Sequence, residues 1–226
     1  MVTEPDYSPS LPLLLSLNAG YIDTVGFLAL HGLFTAHVTG NLVTLGASLV
    51  LGVSGLVAKL LAIPVFCSIA ICTRLFSLRQ AAINRPGLRT MLAIKVLLLT
   101  GGAGMALRFG PFSSGDSIAA ITTGMLLVAA MAIQNAAHRI YLASLPPTTM
   151  MTGTSTQIMI DVADVLQGLA PEASASTAAR LWRMSVTVIA FAAGCGLAAL
   201  LYTTIGIGCF VVIPFLGLWM LLSDFG

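Results

Sequence analysis

The amino-acid sequence predicts an all-α protein that crosses a membrane several times. Of its 226 residues, 58% are hydrophobic and 8% are charged, whereas soluble domains carry about 25% charged residues. The mean hydropathy is +1.00. No charged residue occurs in 24–58 or in 184–223, and a spanning helix needs roughly 20 apolar residues. The apolar stretches lack the strict alternation of a membrane barrel, so the spans are predicted to be helices.

The same composition excludes several other classes of protein. So few charges and so much apolar surface do not fit a water-soluble globule or a disordered chain. A net charge of +2 provides no basic surface for nucleic acid. Glu4 and Asp6 precede the first apolar stretch, where a cleavable signal peptide would have positive charges. The partner that the sequence predicts first is therefore the lipid bilayer.

Six segments are long enough to span a membrane, and two shorter ones lie between them. The first repeat, 1–112, has spans near 11–33, 56–78 and 90–110 and a short helix at 39–52. The second repeat, 113–226, has spans near 117–138, 184–201 and 205–222 and a short helix at 152–168. A helix as short as the first of these covers roughly 21 Å, less than a hydrocarbon core of roughly 30 Å. We therefore expect both short helices to be interrupted or re-entrant.

Loop charges favour six complete spans over eight. Lysine and arginine concentrate in cytoplasmic loops. If both short helices return to the side from which they entered, only Lys59 and Arg108 lie outside. Seven loop cations then lie inside: Arg74, Arg79, Arg85, Arg89, Arg139, Arg180 and Arg183. Eight full spans would move Arg180 and Arg183 outside and leave five against four. We therefore predict six spans with both termini in the cytoplasm.

The two halves of the chain repeat one pattern. Asn18-Ala19 followed by Thr39-Gly40 matches Asn135-Ala136 followed by Thr152-Gly153. Each half then contains a span, a short Thr-Gly helix and two further spans. Because three crossings is an odd number, the two repeats would be inverted relative to each other. Inverted repeats with interrupted helices recur in transporters, with the binding site near the membrane midplane.

The motifs AGYIDTVGFL and FTAHVTGN, with MAIQNAAHRIY and MTGTSTQ in the second half, resemble the YoaK-like family of bacterial inner-membrane proteins. The resemblance covers nearly the whole chain and implies a multi-pass plasma-membrane protein of unassigned function. It supplies no substrate or catalytic residue. Thr154 stands where the first half has Asn41, so the two halves need not bind alike.

Polar residues form one stripe along each short helix. The stripes have the same helical spacing and comprise Asn41, Thr44 and Ser48 in the first half and Thr154, Gln157 and Asp161 in the second. In a permease the stripes face each other across a narrow aqueous path, and the Thr-Gly turns offer backbone N–H groups to a polar or anionic solute. In the alternative, these side chains only hold helices together.

Asp23 and Asp161 are the candidates for proton coupling. A carboxylate inside the membrane costs several kcal/mol unless it is paired or hydrated. Asp23 is either protonatable or the structural partner of a cation such as Lys95. Asn18 and Asp23 face one site only if Gly20 unwinds the helix. The predicted path comprises Asn18, Asp23, Thr39, Gly40, Asn41, Thr44, Gln134, Asn135, Thr152, Gly153, Thr154, Gln157 and Asp161.

Enzyme motifs are incomplete. The stretch Gly52-Val53-Ser54-Gly55 matches the GxSG pattern around the nucleophile of rhomboid-type proteases. That chemistry needs a histidine within hydrogen-bond reach of the serine. We expect these residues to form a turn at one membrane face and His138 to lie near the other. No GxGD-like sequence accompanies Asp23 or Asp161, so an intramembrane aspartyl protease is not favoured either.

Cofactor and metal sites are not predicted. His31 and His37 have no third ligand at a suitable spacing. The cysteines all lie in apolar stretches and are expected to be small buried side chains; they are Cys67, Cys72, Cys195 and Cys209.

These patterns favour a small secondary transporter or channel-like permease for a small polar solute. The alternative is a non-transporting membrane assembly factor or sensor whose polar stripes only lock the helices. An enzyme ranks third, because the chain has almost no mass outside the membrane. A bundle this small is also expected to form a homo-oligomer.

Overall fold

The computed structural model describes residues 10–85, 87–168 and 174–223, with side chains described in all of these except 174–176 and 223. This part of the chain contains helices and no strands, which confirms the predicted all-α class. The helices are α1 (Ser10–Ala29), α2 (Gly40–Leu51), α3 (Leu56–Ala82), α4 (Gly87–Phe109), α5 (Ile118–Tyr141), α6 (Met151–Leu166), α7 (Ser174–Ile205), a 3₁₀ segment (Gly206–Val211) and α8 (Val212–Ser223). The termini, including Glu4 and Asp6, lie outside the described residues.

The short helices α2 and α6 begin and end within two residues of their predicted bounds. The largest differences are at the start of α7 and at the start of α8, which begins at Val212 after the 3₁₀ segment and not near 205. Helix α1 stops at Ala29, before the predicted end, because His31 (φ 54°) and Gly32 (φ 82°) are left-handed. Helix α7 begins at Ser174, ten residues before the predicted start.

Five segments are long and apolar enough to cross a membrane. Four of them are α1, α3, α4 and α5, and the fifth is the continuous stretch Thr177–Leu222. Large apolar side chains remain exposed on the outer surface, as with Val50 at 87%. Such a surface suits contact with lipid rather than with water.

The long stretch Thr177–Leu222 doubles back on itself. Gly194 contacts the backbone of Leu17 in α1, and the Tyr202 hydroxyl donates to the Leu28 carbonyl, 3.4 Å away. Helix α7 therefore runs parallel to α1. Beyond Gly206 (φ 57°), the chain returns towards the start of α1, because Met220 packs in one cluster with Leu11 and Leu15. Helix α8 is thus antiparallel to α1.

Most contacts between helices fall within a few pairs of helices. Helix α1 packs mainly on α7, α3 on α5, and α4 on both α5 and α8, while the short α2 and α6 lie on α3 and α7. A Cβ atom at Gly20 or Gly194 would clash with the backbone of the facing helix. Glycine therefore permits the close approach of α1 and α7.

The short helix α2 starts deep in the bundle and ends beside the start of α3. Near its end, the Ser48 hydroxyl accepts a hydrogen bond from Lys59 Nζ at 2.8 Å. Thr39, just before its start, lines the same cavity as Cys67. Cys67 lies roughly 16 Å along α3, a helix roughly 40 Å long. The loop from α1 therefore descends to the middle of the bundle, and α2 returns to the end from which the loop came.

Candidate functional site

Asp23 holds the loop between α1 and α2. Its Oδ1 accepts hydrogen bonds from the backbone N–H groups of Thr35 (2.6 Å) and Ala36 (2.7 Å), and its Oδ2 lies 2.7 Å from His37 Nδ1. The side chain paired with Asp23 is therefore that of His37 and not that of Lys95. Helix α1 is continuous through Gly20, so the unwinding that would bring Asn18 and Asp23 to one site does not occur.

Asn41 closes the same loop at the start of α2. Its Oδ1 accepts from the Phe34 N–H and its Nδ2 donates to the Phe34 carbonyl, both at 2.8 Å. The N–H groups of Gly40, Asn41 and Leu42 donate to carbonyls of the preceding turn. The first Thr-Gly turn therefore satisfies its own N–H groups, unlike the open donors that the sequence had predicted.

Each polar stripe faces the next long helix instead of the other stripe. Ser48 at the end of the first stripe binds Lys59 of α3. Asp161, 0% exposed, accepts two hydrogen bonds from Arg180 of α7 (2.9 and 2.8 Å) and one from Gln157 (2.8 Å). Helices α2 and α6 are not among the packed pairs within the described chain. The expectation that the stripes face each other is therefore wrong, and the stripes dock the short helices.

Lys95 forms a buried polar cluster where α1, α4, α5 and α8 meet. Its ammonium group donates to Asn18 Oδ1 (2.8 Å) and Gln134 Oε1 (2.5 Å) and lies 3.8 Å from Met220 Sδ. Lys95 is 0% exposed. Gln134 also donates to the Thr148 hydroxyl at 3.1 Å, so the cluster connects the centre of the bundle to the loop before α6.

Asn135 positions the second Thr-Gly turn. Its Oδ1 accepts a hydrogen bond from the Thr149 hydroxyl at 2.6 Å. Helix α6 starts at Met151 after Met150, whose side chain makes no capping hydrogen bond, and the Thr154 hydroxyl donates to the Met150 carbonyl at 3.0 Å. Neither short helix has a side-chain N-cap, but the first N–H groups of α2 donate to its preceding turn, whereas at the start of α6 it is the Thr154 N–H that donates to the Met150 carbonyl, at 3.4 Å.

Three neighbouring cavities surround the two Thr-Gly turns. The central cavity, about 450 Å³, is lined by both turns, including Thr39, Thr152 and Gly153. The Asp23 cavity, about 570 Å³, lies between the first turn and α7. The Arg139 cavity, about 250 Å³, lies between the second turn and the end of α5. Polar or titratable side chains line each cavity, as expected of a site that orients a small solute.

Shared walls join the three cavities into a row. His37 and Thr39 line both the Asp23 cavity and the central cavity. The walls common to the central cavity and the Arg139 cavity are Asn135, Thr149, Met150 and Gly153. The row therefore runs from one half of the chain to the other through both Thr-Gly turns.

The row contains about half of the predicted path. Its members from the predicted path are Asp23, Thr39, Gly40, Asn135, Thr152, Gly153 and Thr154. The other residues of the predicted path make packing contacts and do not line these three cavities. They are Asn18, Asn41, Thr44, Gln134, Gln157 and Asp161. Sequence reasoning missed Phe191 and Cys195 of α7, which line the Asp23 cavity. No local motif marks them, because they reach the cavity through the packing of α1 on α7.

The GxSG stretch forms the expected turn, and a histidine does reach its serine. Ser54 Oγ lies 3.0 Å from His31 Nδ1 and accepts from the Gly115 N–H at 3.2 Å. His31 Nε2 lies 3.0 Å from the Phe112 carbonyl. The Ser54 and His31 side chains thus tie three loops together at this end of the molecule.

Metal-ligating side chains are scattered. Within 10–85, 87–168 and 174–223, no three His, Cys, Asp or Glu side chains come together in a way that would hold a metal ion. Cys209 is buried as predicted, whereas Cys67 and Cys72 are exposed and Cys195 is intermediate. The prediction of burial is wrong for Cys67, which lines the central cavity, and for Cys72, which is exposed on α3.

Comparison with known proteins agrees with this architecture. Residues 11–223 match the family model described as "Protein of unknown function (DUF1275)". A curated relative, the UPF0700 transmembrane protein YoaK of Bacillus subtilis (strain 168), is 44% identical over 48 residues, which is 21% of each chain. The aligned region thus spans about a fifth of that relative. No solved structure matches. The chain belongs to the DUF1275 family and is an all-helical membrane protein.

Proposed function

We propose that this protein is a channel-like permease or small secondary transporter for a small polar solute. The observation that carries the proposal is the row of cavities. Both Thr-Gly turns line its central cavity, which the Asp23 and Arg139 cavities continue in opposite directions. In membrane proteins, irregular backbone at depth is tolerated where it is buried or lines a water-filled cavity, and transporter sites lie near such interrupted helices.

The packing supports two inverted repeats with six spans. Exchanging the halves maps α1 onto α5, α3 onto α7 and α4 onto α8. Under this exchange, the observed pair α1–α7 becomes α5–α3, α2–α3 becomes α6–α7, and α1–α8 becomes α5–α4; all of these pairs are packed in the structure. Because Thr177–Leu222 doubles back, it supplies two crossings. Arg79, Arg85 and Arg89, around the connection between α3 and α4, support a cytoplasmic position for the membrane face that carries Arg139, in a bacterial inner membrane.

The carboxylates of Asp161 and Asp23 have different roles in the proposed permease. Asp161 is enclosed and paired with Arg180, which supports a structural role. Asp23 lines its cavity together with His37, 2.7 Å away. The Asp23–His37 pair therefore remains the candidate for coupling solute movement to protons. No covalent chemistry is proposed for the protein.

The second candidate function is a non-transporting assembly factor or sensor. The observation that favours it is the docking of each stripe on its neighbouring helix, through Ser48 with Lys59 and through Asp161 with Arg180. In that case the polar residues hold the bundle together and no solute crosses.

Sided labelling of single cysteines tests the permease. Native Cys195 lines the Asp23 cavity, and Ala143→Cys adds a thiol to the Arg139 cavity. Each is made the single cysteine and treated with a membrane-impermeant maleimide in intact cells and in inverted vesicles. We expect Cys195 to react from outside and Ala143→Cys from inside. The control retains only Cys72, exposed on α3 away from the three cavities, and should be protected by lipid.

Two outcomes would contradict the permease. If neither cavity thiol reacts from either side, the cavities hold no water continuous with solvent. If both react from the same side, the row does not lead across the membrane. Either result leaves the assembly or sensor function as the better candidate.

A further inference from the structure

We infer that the Arg139 cavity is a binding site for a small anion and that the row of cavities selects anions over cations and neutral solutes. The inference rests on the proposed permease function and names its class of solute. Its basis is the charge of the residues that line the row and the way in which each charge is already paired.

The Arg139 cavity brings one cation together with a buried hydrogen-bonding side chain. Arg139 and His138, adjacent on α5, both line it. His138 is 8% exposed, and its Nδ1 makes no hydrogen bond within the described part of the chain. Within 10–85, 87–168 and 174–223, the Arg139 guanidinium forms no ion pair with a carboxylate and instead contacts the sulfur of Met150, at 3.2 Å. An arginine that is not paired with a carboxylate is well suited to bind an anion through charge-assisted hydrogen bonds.

The start of α6 adds partial positive charge to the Arg139 cavity. Met150, Gly153 and Thr154, which surround the first turn of α6, line the Arg139 cavity, and Met150 provides no side-chain cap. The first N–H groups of a helix carry a partial positive charge that favours an anion. Half-helix ends and arginine side chains are the groups that exclude cations from membrane pores.

Both oxygen atoms of the carboxylate in the row already have hydrogen-bond partners. Among the described residues that line the three cavities, Asp23 is the acidic one. Two backbone N–H groups and His37 occupy both of its oxygen atoms. Asp23 therefore offers little negative field to attract a cation, and Arg139 with the start of α6 dominates the electrostatics of the path.

The test is solute flux into liposomes that contain the purified full-length protein. Two pairs of probes of similar size are compared: chloride with potassium, and lactate with glycerol. We expect at least one anion to enter about tenfold or more faster than its partner. Arg139→Gln should lower that ratio by about tenfold, the effect of removing one hydrogen bond to a charged group. Arg139→Lys should preserve the preference for the anion.

Arg85→Gln is the matched control. Arg85 lies in the loop before α4, whose first residue, Gly87, contacts Tyr141 at the end of α5. This variant removes one positive charge from the same end of the molecule but not from the cavities, so selectivity should not change. Size-exclusion profiles establish that each variant is folded.

Three outcomes distinguish a failure of the anion inference from a failure of the proposed permease function. If potassium and glycerol each enter as fast as their anionic partners, anion selection is overturned but the permease is preserved. Equal selectivity in the wild type and in folded Arg139→Gln would remove the Arg139 cavity as the binding site. No flux of any probe would contradict the permease itself, and the anion inference would fail with it.

Discussion

At the scale of single residues, buried polar groups determine how the two halves meet. In the part of the chain that the structure describes, Lys95 pairs with no carboxylate, and its Nζ donates to the side-chain oxygens of Asn18 and Gln134. A buried charge is tolerated only when hydrogen bonds replace its hydration. Asn18 belongs to the first half of the chain and Gln134 to the second, so Lys95 fixes the position of one half against the other.

Removing Lys95 and Gln134 together should destabilise the protein by less than the sum of the two single changes. Gln134→Leu leaves the buried ammonium group with one fewer acceptor and should cost about 2–3 kcal/mol. Lys95→Met together with Gln134→Leu should cost less than the sum of the single changes, because no charge is left unpaired. The measurement is equilibrium unfolding in detergent for all four members of the cycle.

Thr100→Ala is the control for this cycle, since Thr100 is exposed on α4 and its hydroxyl donates to the Val96 carbonyl of its own helix. It should change stability little. Strictly additive effects of the Lys95 and Gln134 changes would show that the two side chains are not coupled.

At the scale of helices, glycine sets the distance between α1 and α7. The backbones of Phe191 and Leu17 lie so close to Gly20 and Gly194 that neither position has space for a Cβ atom. Gly196 lies two residues further along α7 and has nothing within 4 Å of its Cβ position. The two α7 glycines therefore differ in packing but belong to the same helix.

This difference predicts opposite effects of one substitution. Gly194→Ala should force the helices apart and lower stability by about 1–3 kcal/mol. Gly196→Ala should be neutral or stabilising by up to about 1 kcal/mol, because alanine favours a helix. Melting temperatures in detergent compare the two. Equal losses would mean that α1 and α7 are not in close contact.

A second interaction between elements joins the α4–α5 loop to the start of α3. Asp116 accepts hydrogen bonds from the N–H groups of Gly55 and Val57, both at 2.8 Å. Burial alone raises the pKa of Asp116, but these backbone hydrogen bonds outweigh it and hold the pKa below its usual value. The ionised carboxylate therefore caps α3 from another loop.

The cap predicts a pH-dependent stability. Because its pKa is lowered by folding, Asp116 stabilises the protein fully above the unfolded pKa of about 4, and this contribution is lost as the pH falls through the folded pKa. Asp116→Asn should cost about 1 kcal/mol at pH 7. The difference between wild type and variant should shrink in acid, as measured by thermal unfolding from pH 7 to pH 3. A constant difference would exclude the cap.

At the scale of the whole molecule, the sequence predicts the elements better than the contacts. Long apolar stretches with few charges predicted every long helix, because crossing a membrane imposes a length and a scarcity of charge. The polar stripes along α2 and α6 could also be predicted, because helical spacing is a local property of the sequence. Their partners could not, because Lys59 and Arg180 reach Ser48 and Asp161 through tertiary packing. The His31–Ser54 contact was missed for the same reason.

The meeting of the two Thr-Gly turns is the global feature that the repeat predicts most directly. Thr39 and Thr152 line one central cavity, although they belong to different halves of the chain. Thr39→Cys with Thr152→Cys, in a background without other cysteines, should therefore be joined by a short bismaleimide. The product is detected after cleavage at a protease site inserted in the exposed loop 83–85, where the fragments should remain linked on a denaturing gel.

Val50→Cys with Thr152→Cys is the matched pair for this experiment. Val50 lies on the same short helix but near its far end, is 87% exposed, and lies outside the central cavity. It should not be linked to Thr152→Cys. Linking of both pairs, or of neither, would show that the two turns do not share a cavity in the membrane. If only the Thr39 pair is linked and the link also blocks solute flux, both turns lie on the route that the solute takes.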